Sequence, residues 1–179
     1  MKIRDSGMPE REMWETFFCP SKILETLGFN QGVNDAVEFG CGCGTFAIPA
    51  AKMILGKLFA FEIEPEMAEA TKKEAAKGRI KNIDVVIRDF MADGTGMESE
   101  SVDYVMLFNI LHLEDPVSLL REANRILKEG GQVGMIHWNY DPKTPRGPSM
   151  DIRPRQEYCI EWAKEVGFTE SKKFDLKPY

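Results

Sequence analysis

The run Val37-Glu38-Phe39-Gly40-Cys41-Gly42-Cys43-Gly44-Thr45 places glycine at three alternate positions between a short apolar stretch and a helical pattern. With no Cβ at those positions, the backbone can turn tightly out of a strand and a ligand can lie directly against the main chain. A bare strand-to-helix turn of this kind belongs to repeated βα units and suits a nucleotide-like ligand over the loop.

The rest of the chain keeps that alternation. Short β-branched or aromatic runs at Ala36 to Phe39, Leu58 to Glu62, Ile83 to Arg88, Asp103 to Phe108 and Gln132 to Trp138 read as strands. Between them lie helical patterns from Thr45 to Leu55, from Pro65 to Lys77 and onward from Pro116, where Leu119, Leu120, Ala123, Ile126 and Leu127 share one face. Tyr158, Trp162, Ala163 and Val166 mark a final helix, and Thr169 to Leu176 a last strand. Ahead of the first strand, Met13, Trp14, Phe17 and Phe18 have helical spacing, and Ser21 to Leu27 reads as a second short helix closed by Gly28. The expected class is α/β: a Rossmann-like, three-layer αβα arrangement around a mainly parallel sheet. Residues 1–33 are expected to form an N-terminal helical cap and residues 34–179 the ligand-binding domain.

The 179 residues suffice for one well-packed domain, so ligand and substrate sites must share a core. A net charge of -6 disfavours a partner held through many phosphate contacts, which rules against nucleic acid and for a small molecule. The longest apolar stretch, Val105 to Leu113, is broken by Asn109 and His112 and is too short to span a bilayer. Met1 to Glu15 lacks the apolar core of a signal peptide, so no membrane association and a cytoplasmic setting are expected. Cys19, Cys41, Cys43 and Cys159 have no paired CxxC spacing; they read as reduced thiols, and no metal site is expected.

Glu62 ends the second strand at about the 20-residue offset from the loop where a carboxylate accepts hydrogen bonds from ribose hydroxyls. Thr45 stands where a dinucleotide loop needs a third small residue for close helix packing, which disfavours a nicotinamide cofactor. The loop resembles instead the first motif of class I S-adenosylmethionine-dependent methyltransferases, an acidic residue followed by Gly-x-Gly-x-Gly. Further segments are similar to that family in the same order: Glu62-Ile63-Glu64-Pro65, Arg88-Asp89-Phe90, Val102 through Asn109 to His112, and Leu127-Lys128-Glu129-Gly130-Gly131. The fourth-strand segment is similar to that of the small-molecule enzymes of ubiquinone and menaquinone biosynthesis. The resemblance implies S-adenosylmethionine as cofactor. It implies that Glu38, Gly40, Gly42 and Gly44 shape the methionine end of the site, with Glu62 on the ribose and Ile63 against the adenine. It further implies Asp89 near the adenine amino group, Phe90 beside the ring and Asn109 at the methionine portion.

Two departures stand out. The family's sheet closes with an antiparallel seventh strand, yet this sequence stops at Pro178-Tyr179, where that strand is due, so the final strand is expected to be missing or truncated. No N-P-P-Y pattern follows the fourth strand, which argues against base or glutamine amino groups as acceptors. His112 is the candidate general base, its alternative role being a pocket wall. Trp14, Phe18, His137, Trp138, Tyr140 and Arg146 are candidates for the acceptor site, and Arg146, Arg153 and Arg155 for an anion clamp, with plain core packing and surface ion pairs as the competing accounts. The expected activity is in-line methyl transfer to an unidentified small molecule; an NAD(P)-dependent oxidoreductase and a non-catalytic cofactor-binding scaffold are the rivals. Oligomeric state is open, a homodimer included.

Overall fold

The computed structural model describes residues 19–144 and 146–176. The leading helix expected around Trp14 and Phe18 lies outside them. The first described helix, α1 (Pro20–Thr26), starts on a proline, whose missing N–H is no loss in a first turn, and buries Leu24 completely.

The core that follows is β1 (Ala36–Phe39), α2 (Ala47–Met53), β2 (Leu58–Glu62), α3 (Pro65–Lys77), β3 (Ile83–Ile87), α4 (Phe90–Asp93), β4 (Val102–Phe108), α5 (Pro116–Ile126), β5 (Leu127–Ile136) and α6 (Gln156–Glu165). The five strands are all parallel in the order β3-β2-β1-β4-β5, a doubly wound sheet with β1 at its centre. The order reverses between β1 and β4, and in open sheets of this kind ligands bind at the carboxyl ends of the strands at such a switch.

Alternation along β1 divides the core between the two faces. Ala36 packs with Leu24, Ala47, Ala50 and Phe108 on one side, while Val37 and Phe39 pack with Leu119, Leu120, Ala123 and Ile126 on the other. This is the expected three-layer fold, and β4 reads as an almost continuous apolar run because helices cover both its faces. Tyr104 fastens the N-terminal segment to the sheet: its fully buried ring meets Phe29 edge-on at 5.0 Å, and its hydroxyl donates to the Leu27 carbonyl at 2.8 Å. No helix among the described residues is long and apolar enough to cross a membrane.

Four expectations need correction. The helix after the glycine loop begins at Ala47 rather than Thr45 and ends at Met53, because the loop itself consumes residues 40–46 as turns. A short helix, α4, follows the third strand where only a loop was expected; Asp89 caps it, its carboxylate accepting the Met91 and Ala92 amides at 3.1 Å. The Leu127 to Gln132 turn belongs to β5: register passes from Val102↔Leu127 to Tyr104↔Gln132, so the extra residues bulge out around Gly130 at φ 76°. Lastly, 169–176 forms no strand. Its side chains are almost all exposed, and Thr-Glu-Ser-Lys-Lys-Phe-Asp-Leu lacks the apolar alternation to bury one face. Within the described residues the sheet therefore ends at β5, with no antiparallel strand.

Candidate functional site

Each strand delivers one candidate to the same edge of the sheet: Glu38 within β1, Glu62 at the end of β2, Asp89 after β3, Asn109 after β4 and His137 after β5. The parallel topology produces that convergence from residues far apart in sequence.

The loop after β1 is held from both sides. Gly40 and Cys41 donate to the Phe61 carbonyl at 2.9 and 3.0 Å, and the fully buried Thr71 hydroxyl donates to the Gly42 carbonyl at 2.7 Å. All three glycines have positive φ. At Gly44 a Cβ would also lie 3.0 to 3.1 Å from the side chains of Ile48 and Thr71, so tight packing adds to the backbone's preference for glycine. Gly42 is different: at φ 55° a Cβ there would meet no heavy atom of the described residues within 4 Å, so among them the tip of the loop faces open space.

Glu62 reaches that tip. One carboxylate oxygen accepts the Gly42 amide at 2.7 Å, and the other accepts the Ile63 and Glu64 amides at 2.8 and 3.0 Å. A carboxylate offers about four acceptor positions, so capacity remains beside the bare glycine. Glu38 lies deeper, 3% exposed, in register between Ala60 and Met106. Burial pushes its carboxyl well above the ordinary value, the Glu62 carboxylate adds to the rise, and the Ala47 amide opposes both. Burial, with Glu38 and Glu62 nearby, also holds the Cys41 thiol far above the usual thiol range, which makes it inert.

Asn109 leaves β4 with φ 53°, a left-handed backbone that non-glycine residues adopt at a cost, and its amide donates to the Ile136 carbonyl at 2.8 Å. It is 9% exposed and lines a cavity of about 490 Å³ together with His137, Trp138, Tyr140, Arg155 and Phe174. Three of the expected acceptor-site residues thus share one cavity with one expected cofactor residue. Arg146 is not among its walls, and Trp14 and Phe18 lie outside the described residues.

His112 is 6% exposed and meets His137 edge-on, ring centroids 5.6 Å apart. His137 holds only a long contact to the Trp138 carbonyl, 3.4 Å from Nδ1, and its Nε2 is buried without a hydrogen-bond partner among the described residues. Burial, the neighbouring His112 and the charge of Arg153 pull its pKa down to about 4, so it is a neutral base at physiological pH.

Two expectations fare differently. Phe90 is 3% exposed with its ring edge-on to Phe39 at 5.0 Å, so in this structure it belongs to the core rather than to an open crevice wall. Arg153 is no anion clamp: its guanidinium makes five hydrogen bonds to the carbonyls of Asn139, Asp141, Arg146 and Pro148, folding the loop around itself. Sequence reasoning missed Thr71, whose only signal was a hydroxyl on a helix of alanines and charges, and the 171–176 segment as a cavity wall. It also missed the stacking of Arg155 on Tyr140, 4.0 Å from guanidinium to ring centre.

Fold and loop together define a doubly wound domain with a glycine-rich loop at the carboxyl end of its central strand. A family profile described as a methyltransferase domain matches residues 36–131, and the chain belongs to that family. It is 32% identical over 100 residues to aklanonic acid methyltransferase DauC of Streptomyces sp. (strain C5), covering 54% of this chain and 44% of that protein. To demethylmenaquinone methyltransferase of Staphylococcus aureus (strain MRSA252) it is 29% identical over 115 residues, 63% of this chain and 46% of that one. The matched region thus spans less than half the length of either relative. In fold it is similar to an S-adenosylmethionine-dependent methyltransferase from Aquifex aeolicus, with a TM-score of 0.79, 21% identity and coverage of 91% and 86% of the two chains. It is also similar to the [4+2]-cyclase SpnF, with a TM-score of 0.69, 19% identity and coverage of 83% and 55%.

Proposed function

We propose that the chain binds S-adenosylmethionine over the glycine loop and transfers its methyl group to a small-molecule acceptor in the neighbouring cavity. The observation that carries this reading is Glu62 lying on the Gly42 amide beside space that no side chain of the described residues fills. An adenosyl amino acid fits those features: bare main chain for its methionine end, a carboxylate with spare acceptor capacity for the ribose diol, and a Glu38 oxygen with no partner among the described residues for a cationic group.

When bound, the cofactor supplies an electrophilic methyl group on a sulfonium. The chain's own part is alignment. Gly40, Gly42 and Gly44 give access to the main chain, Glu62 orients the sugar, Ile63 and Asp89 border the adenine, and Asn109 stands between crevice and cavity. His137, Trp138 and Tyr140 wall the acceptor side, where holding two reactants in attack geometry removes much of the entropic barrier. An acceptor that must lose a proton can hand it to the histidine pair, with His112 as the general base and His137 beside it. Residues 1–33 act in this reading as a cap that excludes water, and the setting is cytoplasmic.

Calorimetry tests the cofactor directly. S-adenosylhomocysteine should bind with a micromolar Kd and NADH should not bind. Binding of NADH alone would replace the proposal with a dehydrogenase reading.

A further inference from the structure

Glu38 is an acid in an unusual position for a residue so close to a ligand crevice. It is 3% exposed, its Oε2 has no hydrogen-bond partner among the described residues, and it sits on the central strand. The groups that face it are Glu62 from the end of β2, the Cys41 thiol from the loop and the Ala47 amide from α2, while β4 and β2 flank it with Met106 and Ala60. None of these is a cation. A negative charge there has one amide to stabilise it and a second carboxylate to repel it, so the stable ligand-free form is the neutral acid.

We propose that Glu38 is a positioning residue that keeps its proton in the ligand-free protein and gives it up as the cationic methionine end of the cofactor binds. The inference rests on the cofactor reading above. The step is an ionisation: the Glu38 O–H bond breaks, the proton leaves to solvent, and the ammonium and sulfonium charges of the ligand offset the new carboxylate. The space over Gly42 lets the ligand's charge approach without displacing a side chain of the described residues.

The linkage has a sign. Binding that releases one proton strengthens about tenfold per pH unit while Glu38 is protonated in the free protein, and levels off above that range. The measurement is calorimetry of S-adenosylmethionine with the full chain at a series of pH values, each in two buffers of different ionisation enthalpy. It should report net proton release on binding that fades as pH rises, and Glu38→Gln should abolish the release and flatten the pH dependence of Kd. The wild-type measurement stands alone if the variant fails to fold. Ligand binding with no proton release and a pH-independent Kd would overturn the inference and leave the cofactor reading intact. No binding at any pH would sink both.

Discussion

Gly42 and Gly44 separate two jobs that glycine does in one loop. An alanine at Gly42 has room for its Cβ but must adopt φ 55°, a cost of roughly 1 kcal/mol. Gly42→Ala should therefore leave thermal stability within a few degrees while weakening S-adenosylhomocysteine at least tenfold, because the methyl group occupies the space assigned to the ligand. Gly44→Ala meets Ile48 and Thr71 in addition to its φ of 86°, so differential scanning calorimetry should find its Tm falling further than that of Gly42→Ala. His137 bears on acid stability. Its folded pKa of about 4 lies below the unfolded value near 6.5, so the unfolded chain binds the extra proton first. The stability that a neutral His137 permits is complete above pH 6.5 and drains away as pH falls toward 4, at about 1–3 kcal/mol in all. Urea denaturation across that range should find this slope reduced in His137→Phe.

Among the elements, the loop from Asn139 to Arg153 is ordered by one side chain. Arg153 is 7% exposed and spends its guanidinium on four backbone carbonyls, which no apolar substitute can serve. Arg153→Met should cost about 2 kcal/mol and open the loop to limited proteolysis, loosening the Tyr140 wall of the cavity. Element identity was legible in sequence wherever period and punctuation agreed: β1, β2 and α3 match their expected bounds because Gly56, Pro65 and Gly78 mark the changes. It failed where a bulge or cap decides. The Gly130-Gly131 pair reads as a stop signal, yet parallel pairing with β4 absorbs it as a bulge, a tertiary effect invisible to local pattern. Thr169 to Leu176 was expected as a strand following the final helix, but its residues bury too little to hold a ladder.

At the scale of the molecule, a parallel sheet gathers residues from five strand ends into one edge, and that convergence makes a linear order of short motifs informative. Glu62 was singled out by its offset from the loop, and Glu38, Asp89 and Asn109 through the family resemblance; the parallel topology is what brings their strand ends to one edge. Of the cavity walls, His137, Trp138 and Tyr140 were among the candidates, but Phe174 as a wall and Thr71 as the loop's anchor were not, because packing brings them in with no sequence period of their own. The central claim is that the loop after β1 and the carboxylate at the end of β2 form the two halves of one cofactor seat. A crystal structure of the protein soaked with S-adenosylhomocysteine examines both halves at once. The account expects the homocysteine end against the main chain at Gly42, with the ribose hydroxyls on Glu62; a ligand bound elsewhere, or a ribose out of reach of Glu62, would contradict it.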